Sequence, residues 1–163
     1  MKYRSDIDGI RALSVLMVIL FHLDLALFSG GHVGVDVFFV LSGLLITTTI
    51  TKQVDQGRFS FSQFYSKRMQ RLFPALFTTV TLTFIAASFI LFPDDFQRFA
   101  KSAIATTLSA SNFLFWSESG YWDVSSNSKA LLHTWSLGVE EQFYLIWPAL
   151  IVVIAKFSVP RVA

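Results

Sequence analysis

Cysteine is missing from all 163 residues. That excludes disulfides, thiolate metal sites and cysteine nucleophiles, and leaves the redox compartment unread. Charge is scarce as well: 15% of the residues are Asp, Glu, Lys or Arg, where soluble domains carry about 25%. Thirteen basic and eleven acidic side chains leave a net charge of +2, too slight and too scattered for a nucleic-acid partner. The three histidines are far apart in sequence and make no recognisable metal site. There is no G-x-S-x-G nucleophile elbow and no phosphate-binding glycine loop. Residue periodicity reveals no internal repeat and no low-complexity tract. The opening MKYRSDIDGIR has no short apolar core followed by a small-residue cleavage site. It reads as a cytoplasmic N-terminus leading into a retained span.

What is abundant is apolar surface. Hydrophobic residues make up 53% of the chain, with eighteen Phe and four Trp, and the mean hydropathy is +0.57. The chain reads as an integral membrane protein with an all-α, polytopic transmembrane bundle of about five segments and lipid as its surroundings. The first covers about residues 8–28 and ends at a turn, Ser29-Gly30-Gly31-His32, since adjacent glycines stop a helix readily. The second, about 33–50, carries Asp36 near its start and Ser42-Gly43 at its middle, small residues that let backbones approach closely. Residues 51–71 hold five basic side chains against Asp55 and read as a cytoplasmic loop by the positive-inside rule.

The third segment, Leu72 to Pro93, is uncharged throughout, with Pro74 expected in its first turn, where a missing N–H does little harm. The fourth, Ser102 to Ser117, is Ser- and Thr-rich and short. The fifth is QFYLIWPALIVVIAK, in which Pro148 frees a carbonyl that a neighbour must satisfy. If the fourth segment crosses, residues 118–141 lie in the cytoplasm although they carry four acidic side chains and one lysine. Either that segment is re-entrant or the charge rule fails there; five spans is the expectation.

The first segment organises the rest. Arg11 and His22 lie eleven positions apart, three helical turns plus roughly 20°, so they share a face about 16 Å apart along the axis. Arginine inside a membrane helix costs about 2.5–3.5 kcal/mol on insertion scales. A snorkelling anchor and a packing histidine are the plain alternative. The ionisable groups expected at or near membrane depth are Arg11, His22, Asp24, Asp36, His133, Glu140 and Glu141. Such groups are functional candidates, usually facing the bundle interior. Neutral imidazole suits general-base work on a hydroxyl. Asp24 lies on a different face from His22 and reads as a cap or a group facing water. Lys67, Arg68 and Arg71 are either an orientation signal and lipid anchor or a set of cations for cytoplasmic phosphates. The same buried charges would also suit a proton-coupled transporter, although no paired inverted halves are visible. A non-catalytic membrane component is the third reading.

Four blocks change that balance. RSDIDGIRALSVLMVILFH, GVDVFFVLSGLLIT, SKRMQRLFPAL and LLHTWSLGVEEQFYLIWP resemble, in the same order, the signature blocks of the membrane acyltransferase-3 family, whose members O-acylate cell-surface glycans such as lipopolysaccharide, peptidoglycan and exopolysaccharide. The resemblance covers residues 4–148 and implies a transferase with an acyl-CoA donor, acetyl-CoA in the simplest case, a glycan hydroxyl acceptor, and a place in the bacterial inner membrane. The family's Arg-x10-His motif falls on Arg11 and His22, implying His22 as base or acyl relay. Arg68 and Arg71, with Lys67 beside them, match the basic group before the third span and would meet the donor's phosphates. Glu140 matches the glutamate opening E-x-Q-F-Y and is implied to join Arg11 and His22 in the catalytic set, while Tyr144 of the same block and His133, Trp135 and Ser136 of the H-T-W-S-L run are implied on the substrate side. Ser42 and Gly43 match a block better suited to packing. Family members are about twice this length. Residues 1–163 therefore read as the N-terminal half of such a domain, an incomplete bundle of low activity on its own. A complementary C-terminal half or an extracytoplasmic partner is implied.

Overall fold

The computed structural model describes residues 4–23, 25–119 and 129–158. Among them every regular element is helical: α1 Ser5–His22, a 3-10 turn Ala26–Phe28, α2 Val33–Asp55, α3 Phe61–Ile90, α4 Pro93–Thr107, α5 Ser111–Ser117 and α6 Thr134–Ser158. The all-helical bundle expected from composition is what the chain forms. Two compact units result, residues 1–58 with 150–163 and residues 59–149, and each is described by itself.

In the first unit, α1 begins with Asp6 and Asp8 in its first turn, where carboxylates complement the helix dipole. Arg4 donates to the Asp6 carboxylate at 2.6 Å and holds that carboxyl down at about 2. The helix stops at His22, six residues short of the expected end. A 3-10 turn and the Ser29–His32 turn then reverse the chain into α2, as the paired glycines suggest. Gly31 and Gly34 set the spacing of the two helices. A Cβ on Gly31 would meet Met17 O at 2.3 Å, and one on Gly34 would meet Ser14 O at 2.4 Å. α2 then runs five residues beyond the expected boundary and closes with a Schellman motif. Arg58 N donates to Gln53 O and Gly57 N to Val54 O, both at 2.9 Å, with Gly57 at φ +63, the left-handed conformation that glycine tolerates best.

In the second unit, the basic stretch expected as loop is largely helix. Ser60 caps α3 by accepting from Gln63 N, and Ser60-x-x-Gln63 is a capping-box pattern. α3 then continues for 30 residues, about 45 Å, against an apolar membrane core of about 30 Å. Lys67, Arg68 and Arg71 occupy its polar first turns. Pro74 is therefore deep inside α3, not in its first turn, and leaves the Gln70 carbonyl without its i+4 donor. The helix ends where Leu91 and Phe92 turn extended and Pro93 starts α4, a position that suits proline.

The expected fourth span is not one helix. α4 stops at Thr107, Leu108–Ala110 turn, and α5 adds only seven residues. α4 buries one stripe, Phe99, Ser102, Ala103 and Thr106. Phe99 and Ala103 pack with Ala87 of α3 and Leu131. α6 begins eight residues before the expected fifth segment and so carries Glu140 and Glu141 within a helix. Among the described residues, three helices are long and apolar enough to cross a membrane: α2, α3 and α6. α1 has 18 residues and includes Asp6, Asp8 and Arg11.

Candidate functional site

The α1 side chains that face α2 follow from helical phase. Arg11, Ser14, Val18, Phe21 and His22 fall within about 100° of one another, and Ser14 and Val18 are the groups against which Gly34 packs. Arg11 is half-buried, and its Cζ lies 4.9 Å from the Phe38 ring centroid of α2, a cation–π contact that helps an arginine rest among apolar groups. A groove of about 470 Å³ beside it is lined by Arg11, Ala12, Val15, Leu16, Ile19 and Phe38. His22 is exposed at the end of α1, with its ring edge-on to Phe21 at 5.3 Å. Its Nδ1 is 2.8 Å from the Val18 carbonyl. A carbonyl only accepts, so Nδ1 carries the hydrogen and Nε2 of neutral His22 keeps its lone pair. Phase thus places Arg11 and His22 on the face turned toward α2, with the length of three turns between them. Asp24 lies outside the described residues.

The second constellation is built by α3 and α6. A cavity of about 400 Å³ has apolar walls that include Leu72, Phe73, Leu108 and Leu145, and its polar lining comprises Tyr65, Arg68, Ser109, Glu141, Gln142 and Tyr144. Arg68 is half-buried, and its Cζ stands 4.4 Å from the centroid of Tyr144 and 5.7 Å from that of Phe64. Tyr144 is 6% exposed, and its hydroxyl donates to the Glu140 carboxylate. Pro148 gives the Tyr144 carbonyl no N–H. The next carbonyl, that of Leu145, accepts from the Tyr65 hydroxyl at 2.9 Å.

The turn between α4 and α5 closes one wall. Ser109 has φ +55, a conformation L-residues adopt at some cost. Gln142 Nε2 donates to the Ser109 carbonyl at 2.7 Å and to Asn112 Oδ1 at 2.8 Å. Gly138 lets this corner approach, since a Cβ there would meet Asn112 Oδ1 at 3.0 Å. So held, Ser109 donates its hydroxyl to Glu141 Oε2.

A family description, "Acyltransferase domain", matches residues 4–163. The chain belongs to the acyltransferase-3 family. It is 39% identical over 158 residues to the peptidoglycan O-acetyltransferase OatA of Listeria monocytogenes, covering 96% of this chain and 25% of that protein. It is 40% identical over 121 residues to an uncharacterized protein of Haemophilus influenzae, covering 74% of this chain and 49% of that one. The chain thus spans a quarter and about half of these relatives' lengths. No solved structure matches. With three apolar helices long enough to cross a bilayer, this acyltransferase-3 chain is an integral membrane protein.

The residues that sequence marks out in this acyltransferase-3 chain sort into two places. Arg11 and His22 share the α2-facing side of α1. Arg68, Tyr144 and Glu140 form one linked group at the α3–α6 cavity. Arg71 and Lys67 are exposed on α3 and do not line that cavity. His133 is exposed in the turn before α6, its carbonyl accepting from Ser136 Oγ at 3.1 Å. Trp135 and Ser136 lie in the first turn of α6, about 9 Å of helical rise or less before Glu141. Sequence reading did not mark Tyr65, Ser109 or Gln142, and it singled out Glu141 only as an ionisable group. The signals were present in Gly138 and in the polar serine-rich break at 109–111.

Proposed function

We propose that this chain contributes the donor-binding and proton-accepting parts of a membrane O-acyltransferase that moves an acetyl-class acyl group from acyl-CoA to a hydroxyl of a cell-surface glycan. Arg68 carries the reading. It is a guanidinium half-buried over an aromatic ring in an otherwise largely apolar cavity, and it lies in the polar, basic first turns of a membrane-crossing helix, where the positive-inside rule puts the cytoplasm. Arginine is the geometric choice for phosphate, and acyl-CoA reaches the membrane from that side. His22 is the base. With Nδ1–H committed to Val18, Nε2 takes the hydroxyl proton as the acceptor oxygen bonds to the thioester carbonyl carbon. The C–S bond then breaks, and the departing thiolate recovers a proton. Arg11 positions α1 through Phe38. His133, Trp135 and Ser136 border the acceptor, and Glu140 with Tyr144 orients Arg68.

The relatives' names support the acyl class, and OatA's name offers a peptidoglycan-type acceptor, with lipopolysaccharide as another glycan of the kind. A bacterial inner-membrane location and a complementary set of helices or an extracytoplasmic partner belong to the same proposal. Membranes containing the chain, incubated with acetyl-labelled acetyl-CoA, should pass label to glycan. His22→Ala should lower that transfer by about a hundredfold or more, the usual contribution of a positioned base. Undiminished transfer by His22→Ala would remove His22 from the chemistry, and solute flux without glycan labelling would point to a carrier instead.

A further inference from the structure

Glu140 and Glu141 are neighbours on α6, so their side chains leave the helix about 100° apart, and their surroundings differ. Glu140 is committed to the Tyr144 hydroxyl. Glu141 lines the α3–α6 cavity. Its Oε2 accepts from Ser109, while Oε1 is buried and no donor among the described residues reaches it. A buried carboxylate oxygen without a donor is strongly unfavourable. The surrounding structure nevertheless maintains it: Ser109 is held at φ +55 by Gln142 and hands its hydroxyl to the same carboxylate. A strained residue kept in place to hold a half-satisfied carboxylate beside a cavity is the pattern of a ligand contact that a small side-chain turn completes.

We propose that Glu141 is the hydrogen-bond acceptor of this cavity, taking an amide N–H of a pantetheine-type arm whose phosphate end meets Arg68. This rests on the acyl-CoA reading above and assigns Glu141 a contact that neither Glu140 nor the basic cluster supplies. The volume, about 400 Å³, is near the lower end for small-molecule sites and suits an arm better than a whole nucleotide. Such an arm is flexible and carries amides. It enters an apolar channel favourably only where each N–H finds an acceptor. Glu141 stands among Leu72, Phe73, Leu108 and Leu145 to provide one.

The test uses the chain in lipid nanodiscs with two probes, coenzyme A and adenosine 3′,5′-bisphosphate, which shares the nucleotide phosphates but lacks the arm. Glu141→Gln removes the charge and leaves one carbonyl acceptor to serve both Ser109 and the arm. It should weaken coenzyme A about tenfold or more, the scale of a hydrogen bond to a charged group, and leave the bisphosphate unchanged. Arg68→Ala should weaken both. If Glu141→Gln is not recovered folded, Glu141→Met, apolar and similar in size, carries the same expectation. Unchanged coenzyme A binding by the Glu141 variant beside a weakened Arg68→Ala overturns the role of Glu141 and leaves the donor reading standing. Equal loss of both probes in a folded Glu141 variant also overturns it. Arg68→Ala binding both probes normally, or no binding by the unsubstituted chain, overturns the donor reading at this cavity and the present inference with it.

Discussion

A methyl group at position 34 would stand 2.4 Å from the Ser14 carbonyl oxygen, and neither atom has room to retreat because both belong to helix backbones or their immediate neighbours. Gly9, also helical, meets nothing within 4 Å. The two glycines therefore respond oppositely to the same change. Gly34→Ala should destabilise the α1–α2 pair by about 1–3 kcal/mol through overpacking, whereas Gly9→Ala should stabilise it by about 0.5–1 kcal/mol through helix propensity. Thermal unfolding of both variants in one detergent checks the sign of each. Equal shifts would mean that the helices do not touch at Gly34. At this scale the sequence is informative where a residue's role depends on its own helix. The shared face of Arg11 and His22 is legible from their spacing because α1 is regular between them. That Phe38 receives Arg11, or that Glu141 and not Glu140 lines the cavity, depends on how a second element is rotated, and no spacing within one helix encodes that. The phase of α6 is set by Gly138 and Gln142 against residues 109–112, contacts between positions some thirty apart.

Elements were legible in kind and misjudged at their ends, and the reason is specific. Apolar runs mark what lies in lipid, but a helix continues past the lipid until a cap stops it. α2 ends at Asp55 before the Gly57 turn and α3 begins at Phe61 after the Ser60 cap, both set by short polar motifs that a hydropathy reading passes over. The fourth segment fails for the converse reason. Its composition is apolar enough to suggest a span, but Ser109 in the left-handed region breaks the helix and sends its hydroxyl to Glu141. Gly57 offers the cleaner test of this scale, since it has φ +63 with open space around it. Gly57→Ala meets no clash, so any loss comes from backbone conformation alone, expected at about 1 kcal/mol. Circular dichroism with thermal unfolding should register that loss with no change in helix content. A neutral result would show that the α2 terminus is not held by its Schellman turn.

On the scale of the molecule, the decisive question is which ends of the helices face which compartment. α3 answers it best, being the longest helix and the most lopsided in charge. Its first eleven residues carry Lys67, Arg68 and Arg71, no acidic residue lies between Ser60 and Leu91, and Asp94 and Asp95 follow just past its other end. Basic groups are retained in the cytoplasm while acidic groups translocate with little penalty, so the charge rule predicts that α3 enters from the cytoplasm and leaves toward the outside. Its length of about 45 Å exceeds an apolar core of about 30 Å, so that orientation would leave the turns around Arg68 at or below the inner headgroups, within reach of the soluble thioester donor proposed above. The absence of cysteine makes this directly measurable, since a single introduced thiol is the sole target of a maleimide. Ser62→Cys should be labelled by a membrane-impermeant maleimide only after cells are opened, and Asp94→Cys in intact cells. The reverse pattern would put Arg68 on the outer face, where acyl-CoA does not reach, and the assignment of that arginine to the donor's phosphates would fail whatever its geometry.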